Sequence, residues 1–143
     1  MRIFVGADHR GFKLKQDLVA FLKTLGHEVI DVGASVYDSD DDYVDYARKA
    51  CESLEEGDRG ILLCGSGHGV DIVANKHKGI RGILGFNLEV VVQGREHEDA
   101  NVLSIPAEWV EKEEVFEMAK TFMETSFSGK ENYKRRIEKI GSL

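Results

Sequence analysis

Apolar residues in this chain fall into short continuous runs separated by longer segments of mixed polarity. Five runs have the length and apolar content of strands that are covered on both faces. They lie at Ile3–Val5, Val29–Val32, Gly60–Cys64, Ile80–Phe86 and Val102–Ile105. The pattern therefore predicts a sheet of five strands.

Between these runs, apolar residues recur every three or four positions, as on one face of an amphipathic helix. The predicted helices are Leu14–Leu25, Tyr43–Leu54, a segment through Asn75, Leu88–Arg95 and a segment after Trp109. Because helices and strands alternate, we expect an α/β fold: a three-layer sandwich with a mainly parallel sheet and helices on both faces. The segment Ser39–Asp42 is predicted to be a solvated acidic turn, and Lys130–Lys139 is the one basic segment.

Length and composition indicate one ordinary globular domain over residues 1–143. A chain of 143 residues buries enough surface to fold without disulfides, and its two cysteines form no disulfide framework. A net charge of -7 without a basic stripe argues against nucleic-acid binding. The sequence has neither a signal peptide nor an apolar stretch of about 18 residues, so no membrane contact and a cytoplasmic location are expected.

The glycine-rich turn after the third predicted strand is a candidate ligand loop. In parallel sheets ligands bind beyond the carboxyl ends of the strands, where Ala7–Gly11, Cys64–Gly69 and Phe86–Asn87 lie. Gly65, Gly67 and Gly69 would let backbone N–H groups converge on an anion at a helix N-terminus. The alternative is a tight strand-to-helix connection without a ligand.

Cys64 stands directly before this turn, where backbone dipoles would favour a thiolate that acts as a base or nucleophile. An unpaired cysteine is as often a small buried hydrophobe, which is how we interpret Cys51. Asp8 and His9 follow the first strand.

His97 and Asn101 precede the last strand, and all four polar residues are candidates for one crevice with acid/base chemistry. The alternatives are that Asp8 caps a helix and that His97 ends one. His27, His68 and His77 lack metal-ligand spacing, so no metal site is expected.

Several ordered motifs together resemble the ribose-5-phosphate isomerase B family, which includes the galactose-6-phosphate isomerase subunits. The motifs are Gly6–Lys15, Asp42–Ala47, Cys64–Gly69, Ala74–Lys76, Gly79–Arg81 and Arg95–Leu103. The resemblance is collinear over nearly the whole chain. It implies a Rossmann-like sheet, interconversion of aldose and ketose phosphates without metal or organic cofactor, and active sites between two subunits of a homodimer or homotetramer.

The resemblance also implies roles for individual residues. Cys64 corresponds to the base that moves a proton between C1 and C2. Ser66 and the glycine loop correspond to the group that holds the enediolate oxygen. Asp8 and His97 match residues associated with opening the sugar ring. Tyr43 and Asn101 match residues that contact the sugar, and His9 and Arg136 match residues that contact the phosphate. Some of these residues come from the neighbouring subunit.

Departures from the family pattern lie on the substrate side. Glu108 and Asn132 stand where the family commonly has phosphate-binding arginines. Further departures are Val44, His68, Asp71 and Glu98. His68 and Asp71 would alter which sugar fits, add an acid/base pair or pair with each other at a helix start.

The leading hypothesis is therefore an aldose–ketose isomerase of a phosphorylated sugar, with ribose 5-phosphate as the expected substrate. The same chemistry on another pentose, tetrose or hexose phosphate, or on an unphosphorylated sugar, is one alternative. A sugar-binding protein without turnover is the other, since a fold does not dictate an activity.

Overall fold

The five strands form one parallel sheet in the computed structural model of the chain, which describes residues 1–143. The strands are β1 Arg2–Ala7, β2 Glu28–Asp31, β3 Arg59–Cys64, β4 Gly82–Leu84 and β5 Val102–Pro106. Their order in the sheet is β2-β1-β3-β5-β4, and every neighbouring pair is parallel. The predicted α/β sandwich is confirmed, and the sheet is parallel throughout.

Six helices cover the sheet. They are α1 Phe12–Thr24, α2 Tyr43–Ser53, α3 His68–Asn75, α4 Leu88–Glu98, α5 Lys112–Glu124 and α6 Glu131–Gly141. Buried apolar side chains from α1, α4 and α5 pack on one face of the sheet, and those from α2 and α3 pack on the other. Each layer buries the apolar stripe that its sequence spacing predicts. No helix has the length and apolar content that a membrane span requires.

Two elements differ from the prediction. β4 is shorter than Ile80–Phe86 because Ile80 belongs to a turn in which its N–H donates to the His77 carbonyl at 3.2 Å. The basic segment after Lys130 forms α6, which has no buried residue. Its three apolar residues, Tyr133, Ile137 and Ile140, do recur at helical spacing, but the charged composition of the segment dominates its sequence.

Candidate active site

Asp8 lies at the carboxyl edge of the sheet, directly after β1 and beside the end of β3. Its side chain is buried, and Oδ1 accepts hydrogen bonds from the N–H groups of Arg10 at 3.0 Å and Gly11 at 3.4 Å. These bonds fix the turn before α1, whose N-cap is Gly11 without a side-chain cap, so Asp8 does not cap the helix itself. Burial raises the pKa of the Asp8 carboxyl. Asp8 thus both holds the turn after β1 and has a carboxyl group whose proton affinity is increased.

His9 is held by Asp41, a residue that sequence reasoning placed in a solvated turn. Oδ1 of Asp41 accepts from the His9 backbone N–H at 3.0 Å and lies 2.7 Å from Nδ1 of the His9 ring. The Asp41 side chain is only 5% exposed. The hydrogen bond to Asp41 raises the pKa of the His9 imidazole. The pair therefore favours a positively charged imidazole at this edge.

The same three residues supply the donor atoms that could contact a metal ion. One ligand atom from each of Asp8, His9 and Asp41 lies within 4.8 Å of the others. Two of these atoms bond directly to each other across the His9–Asp41 contact, and Asp8 already accepts two amides. The geometry is that of a hydrogen-bonded acid/base cluster.

Cys64 ends β3 and lies against the first residues of the glycine loop. Its Sγ accepts a hydrogen bond from the Gly67 N–H at 3.2 Å, and the side chain is buried. The sulfur thus faces the backbone of the loop at the carboxyl end of the strand. The other cysteine, Cys51, packs in the core under α2, and burial raises its pKa to about 11. Only Cys64 therefore combines a polar partner with a position at the ligand edge of the sheet.

Gly67 has a conformation and a packing environment that exclude a side chain. Its φ is +74°, in the left-handed region, and it is the residue from which α3 begins. A Cβ at this position would lie 2.5 Å from Cδ1 of Leu84 and 3.0 Å from the backbone nitrogen of Pro106. The loop thus packs directly on the sheet edge, with the first N–H groups of α3 free of intrahelical partners.

Tyr43 and Ser66 complete this side of the site. The Tyr43 ring packs on Gly69, where an added Cβ would lie 2.5 Å from Cζ. Oγ of Ser66 accepts from the His68 N–H at 3.3 Å. An open cavity of about 380 Å³ adjoins Ser66 and His68 and is otherwise apolar, with Leu84, Phe86, Pro106 and Trp109 as its remaining lining. Its volume lies within the range of small-molecule sites.

An ion pair lies on the first glycine of the loop. Nε of Arg10 is 3.2 Å from Oε1 of Glu108. A Cβ added to Gly65 would lie 2.8 Å from Cδ and 2.9 Å from Nη1 of Arg10, and 3.1 Å from Cδ of Glu108. The Glu108 N–H also donates to the Gly65 carbonyl at 3.1 Å. Both charged side chains therefore reach the residue that follows Cys64.

Asp71 bonds to β5 and not to His68. The Ser104 hydroxyl donates to its Oδ1 at 3.0 Å. Burial raises the pKa of the Asp71 carboxyl, and the Ser104 bond and the nearby His68 act in the opposite direction. Of the three possibilities for these two residues, the structure disfavours the direct pair at the helix start.

His97, Asn101 and Arg136 lie elsewhere in the chain. Asn101 precedes β5, whose first residue pairs with Gly60 at the amino end of β3, whereas Cys64 pairs with Pro106 at the far end. Its amide accepts from the Arg81 N–H at 2.7 Å and donates to the Gly79 carbonyl at 2.9 Å. Within one chain Asn101 therefore lies at the opposite edge of the sheet from Asp8, because it precedes a parallel strand and Asp8 follows one.

His97 belongs to α4 and stacks on Tyr133 of α6, with ring centroids 4.4 Å apart. The guanidinium of Arg136 lies 5.9 Å from the same Tyr133 ring. His97 and Arg136 therefore lie near each other, on helices α4 and α6. Within one chain, the group at the carboxyl edge consists of Asp8, His9, Tyr43, Cys64, Ser66 and the loop glycines, with Asp41, Arg10 and Glu108 added by the structure.

An α/β sheet with a cysteine, a glycine loop and an Asp–His pair at its carboxyl edge is the arrangement of a sugar-phosphate isomerase. A family model described as Ribose/Galactose Isomerase matches residues 3–140. The chain belongs to this family, whose members interconvert aldoses and ketoses.

Named relatives agree with this assignment. Ribose-5-phosphate isomerase B of Mycobacterium tuberculosis is 38% identical over 140 residues, which cover 96% of this chain and 86% of that protein. The structure of the Thermotoga maritima ribose 5-phosphate isomerase is 38% identical with a TM-score of 0.94, covering 99% of this chain and 98% of that one. The Mycoplasma genitalium enzyme with bound ribulose 5-phosphate is 35% identical with a TM-score of 0.95, covering 99% and 94%.

Proposed function

We propose that this protein interconverts ribose 5-phosphate and ribulose 5-phosphate, with Cys64 as the base. The observation that carries the proposal is the buried Cys64 sulfur, which accepts the Gly67 N–H at the ligand edge of the sheet. The similar Mycoplasma genitalium structure, which contains ribulose 5-phosphate, supports the choice of substrate.

The proposed reaction moves one proton between neighbouring carbons. The Cys64 thiolate takes the proton from C2 of the open-chain aldose, and the electron pair moves to the C1 carbonyl oxygen to give an enediolate. Ser66 and the N–H groups in the first turn of α3 are assigned to stabilising this oxygen anion. Return of the proton from Cys64 to C1, with transfer of the O2 proton to O1, gives the ketose. The balance requires no oxidant and no reductant.

Ring opening precedes this step, because the sugar phosphate enters largely as a ring. Asp8, whose raised pKa favours the protonated carboxyl, is assigned to proton transfer at the ring oxygen or the C1 hydroxyl. His9, whose imidazole pKa is raised by the hydrogen bond to Asp41, is assigned to the phosphate. Tyr43, packed on Gly69, is assigned to the sugar.

A second copy of the chain is proposed to complete the site. His97 and Arg136 share Tyr133 on the outer helices and lie away from Cys64 along the chain. A homodimer, or a tetramer of two such dimers, would bring these residues of one subunit to the carboxyl edge of the other. Asn101 is already bonded within its own chain, so its predicted sugar contact requires a rearrangement. The cytoplasmic location stays a prediction.

The proposal is tested by incubating the protein with ribose 5-phosphate in deuterated water and following deuterium at C2 and ketose formation by NMR. We expect both signals in the wild type and neither in Cys64→Ala. Cys51→Ala is the matched control, because Cys51 is the other buried thiol and lies in the core. Full activity of Cys64→Ala would overturn the role of the cysteine.

Glu108 and Asn132, which replace arginines of the family pattern, favour a second candidate: the same chemistry on a different sugar. Running the same experiment with a panel of tetrose, pentose and hexose phosphates and with free sugars separates the two. Cys64-dependent exchange in another sugar, faster than in ribose 5-phosphate, would identify that sugar as the substrate. Binding without exchange in any of them would identify a protein that has lost turnover.

A further inference from the structure

The Arg10–Glu108 pair is the one strongly charged feature at the carboxyl edge that the reaction described above does not use. Arg10 directly follows Asp8 and His9, and its backbone N–H already donates to Asp8. Its guanidinium lies on Gly65, with Nη1 2.9 Å from the position of an added Cβ. A side chain on Gly65 would displace it. The bare backbone of Gly65 is therefore what lets a guanidinium reach the residue next to Cys64.

An anionic substrate meets mostly acidic side chains at this edge. Asp8, Asp41 and Glu108 lie here in a chain of net charge -7. The His9 ring is already engaged by Asp41, whose Oδ1 lies 2.7 Å from its Nδ1. Neighbouring cations are engaged elsewhere: Lys15 is buried and bonds to Asp31 at 3.0 Å. A phosphate that enters here therefore needs a further cation, and Arg10 is the residue placed to provide it.

The contact with Glu108 leaves the phosphate-binding side of the guanidinium available. Nε faces Glu108 at 3.2 Å, while the two Nη groups make no hydrogen bond within the chain. A guanidinium presents its donors as a planar fork that matches two oxygens of a phosphate. The Arg10 side chain is 57% exposed, so a ligand reaches it without unfolding the loop.

We propose that Arg10 binds the phosphate group of the substrate and that Glu108 is the positioning residue that holds its guanidinium on Gly65. Glu108 occupies a position where the family pattern has an arginine. In this chain the guanidinium beside Gly65 comes from Arg10. The inference rests on the proposed sugar-phosphate substrate and adds to it a residue that determines specificity for the phosphorylated form.

The test measures phosphate binding separately from turnover. Inorganic phosphate is titrated into wild type and Arg10→Ala by NMR, and KM and kcat are measured with ribose 5-phosphate. We expect Kd and KM to rise at least about tenfold in Arg10→Ala, since a charge-assisted bidentate contact is lost. Arg48→Ala is the matched control: Arg48 is also 57% exposed and pairs with Asp45 at 3.6 Å. It should leave both constants unchanged.

A double variant tests whether phosphate binding depends on a guanidinium located beside Gly65. Arg10→Ala combined with Glu108→Arg returns a guanidinium to Gly65 from the other side of the pair, and we expect it to recover most of the phosphate affinity. Wild-type Kd and KM in Arg10→Ala, with turnover intact, would overturn the inference and leave the proposed function standing. Arg10-dependent phosphate binding without turnover of any sugar phosphate would refute the proposed function and retain the phosphate site.

Discussion

One carboxylate oxygen of Asp41 contacts both the backbone nitrogen and the ring nitrogen of His9, a residue 32 positions earlier in the chain. The first contact fixes the backbone after β1, and the second fixes the orientation of the imidazole. Because both depend on Oδ1, the position of His9 and its charge are controlled by a single side chain.

Replacing Asp41 by Asn is expected to lower the pKa of His9 toward the usual value of 6.5, because the amide cannot stabilise the imidazolium as a carboxylate does. The measurement is an NMR titration of the His9 ring protons in the two proteins. Asp38→Asn is the control, since the Asp38 carboxylate lies in the same acidic segment but accepts only from the Asp40 N–H. This variant should leave the pKa of His9 unchanged. An unchanged His9 pKa in Asp41→Asn would contradict the assignment.

The same contact makes stability depend on pH in a defined direction. A pKa that is raised in the folded state gives stabilisation that is complete below the unfolded pKa and is lost as pH rises through the folded pKa. The stability lost in Asp41→Asn should therefore be larger at about pH 5.5 than at about pH 8.5. Urea unfolding of both proteins at the two pH values measures this difference. A loss of unfolding free energy in Asp41→Asn that increases with pH would contradict this prediction.

Gly67→Ala is expected to reduce both stability and activity. The positive φ costs about 1–2 kcal/mol, and the clash with Leu84 adds about 1–3 kcal/mol. Gly57→Ala is the matched control, because its φ is +90° and an added Cβ would meet no atom within 4 Å. Thermal unfolding should show the smaller loss in Gly57→Ala, with isomerase activity retained. Equal losses in the two variants would mean that the loop is not packed on Leu84.

Asp71→Asn is expected to stabilise the protein at neutral pH. Burial raises the folded pKa of this carboxyl, so the folded state binds more protons than the unfolded state between the two pKa values. Stability therefore falls as pH rises through that window, and the penalty persists above it. An amide still accepts the Ser104 hydroxyl and removes the penalty.

Urea unfolding at pH 7 and pH 3 checks this expectation. The stabilising effect of Asp71→Asn should be present at pH 7 and largely absent at pH 3, where the carboxyl is protonated in both states. Ser104→Ala is the companion variant, because it leaves the carboxylate without its donor and should destabilise the protein at pH 7. A destabilised Asp71→Asn at pH 7 would contradict the raised pKa.

Mixing two inactive proteins tests whether the site is shared between subunits. Cys64→Ala and His97→Ala should each lose activity, because one lacks the base and the other the proposed partner residue. After unfolding and refolding together, mixed dimers contain one site with both native residues, so about a quarter of wild-type activity should return. Light scattering of the refolded mixture is the control that checks whether the species is a dimer or larger. No recovery would place both residues in one subunit's site.

Local sequence patterns were sufficient for the sheet but not for the site. Runs of apolar residues predicted all five strands, most clearly β3 and β5, because nearly every residue of these two strands is buried. Cys64 and the glycine loop followed from their place after β3. Asp41 was missed because an Asp in an acidic turn looks solvated until a residue 32 positions away meets it.

The position of Asn101 at the other edge of the sheet could not be predicted for a different reason. Proximity to a strand in sequence does not state which end of the strand a residue occupies, and only residues after a parallel strand lie at the ligand edge. The helix at Glu131–Gly141 was described only as a basic segment, although Tyr133, Ile137 and Ile140 recur in it at helical spacing. The Arg10–Glu108 pair joins two loops that are brought together only by the completed sheet.

The place of β3 in the middle of the sheet determines how the site responds to heat. β3 is paired on both sides, whereas β2 and the three-residue β4 lie at the edges. Local opening begins where a segment has the fewest partners, so fraying at the edges leaves the backbone under Cys64 in place. Amide hydrogen exchange in β3 should accordingly proceed through global unfolding, so that the strand ending at Cys64 keeps its place until the whole sheet opens.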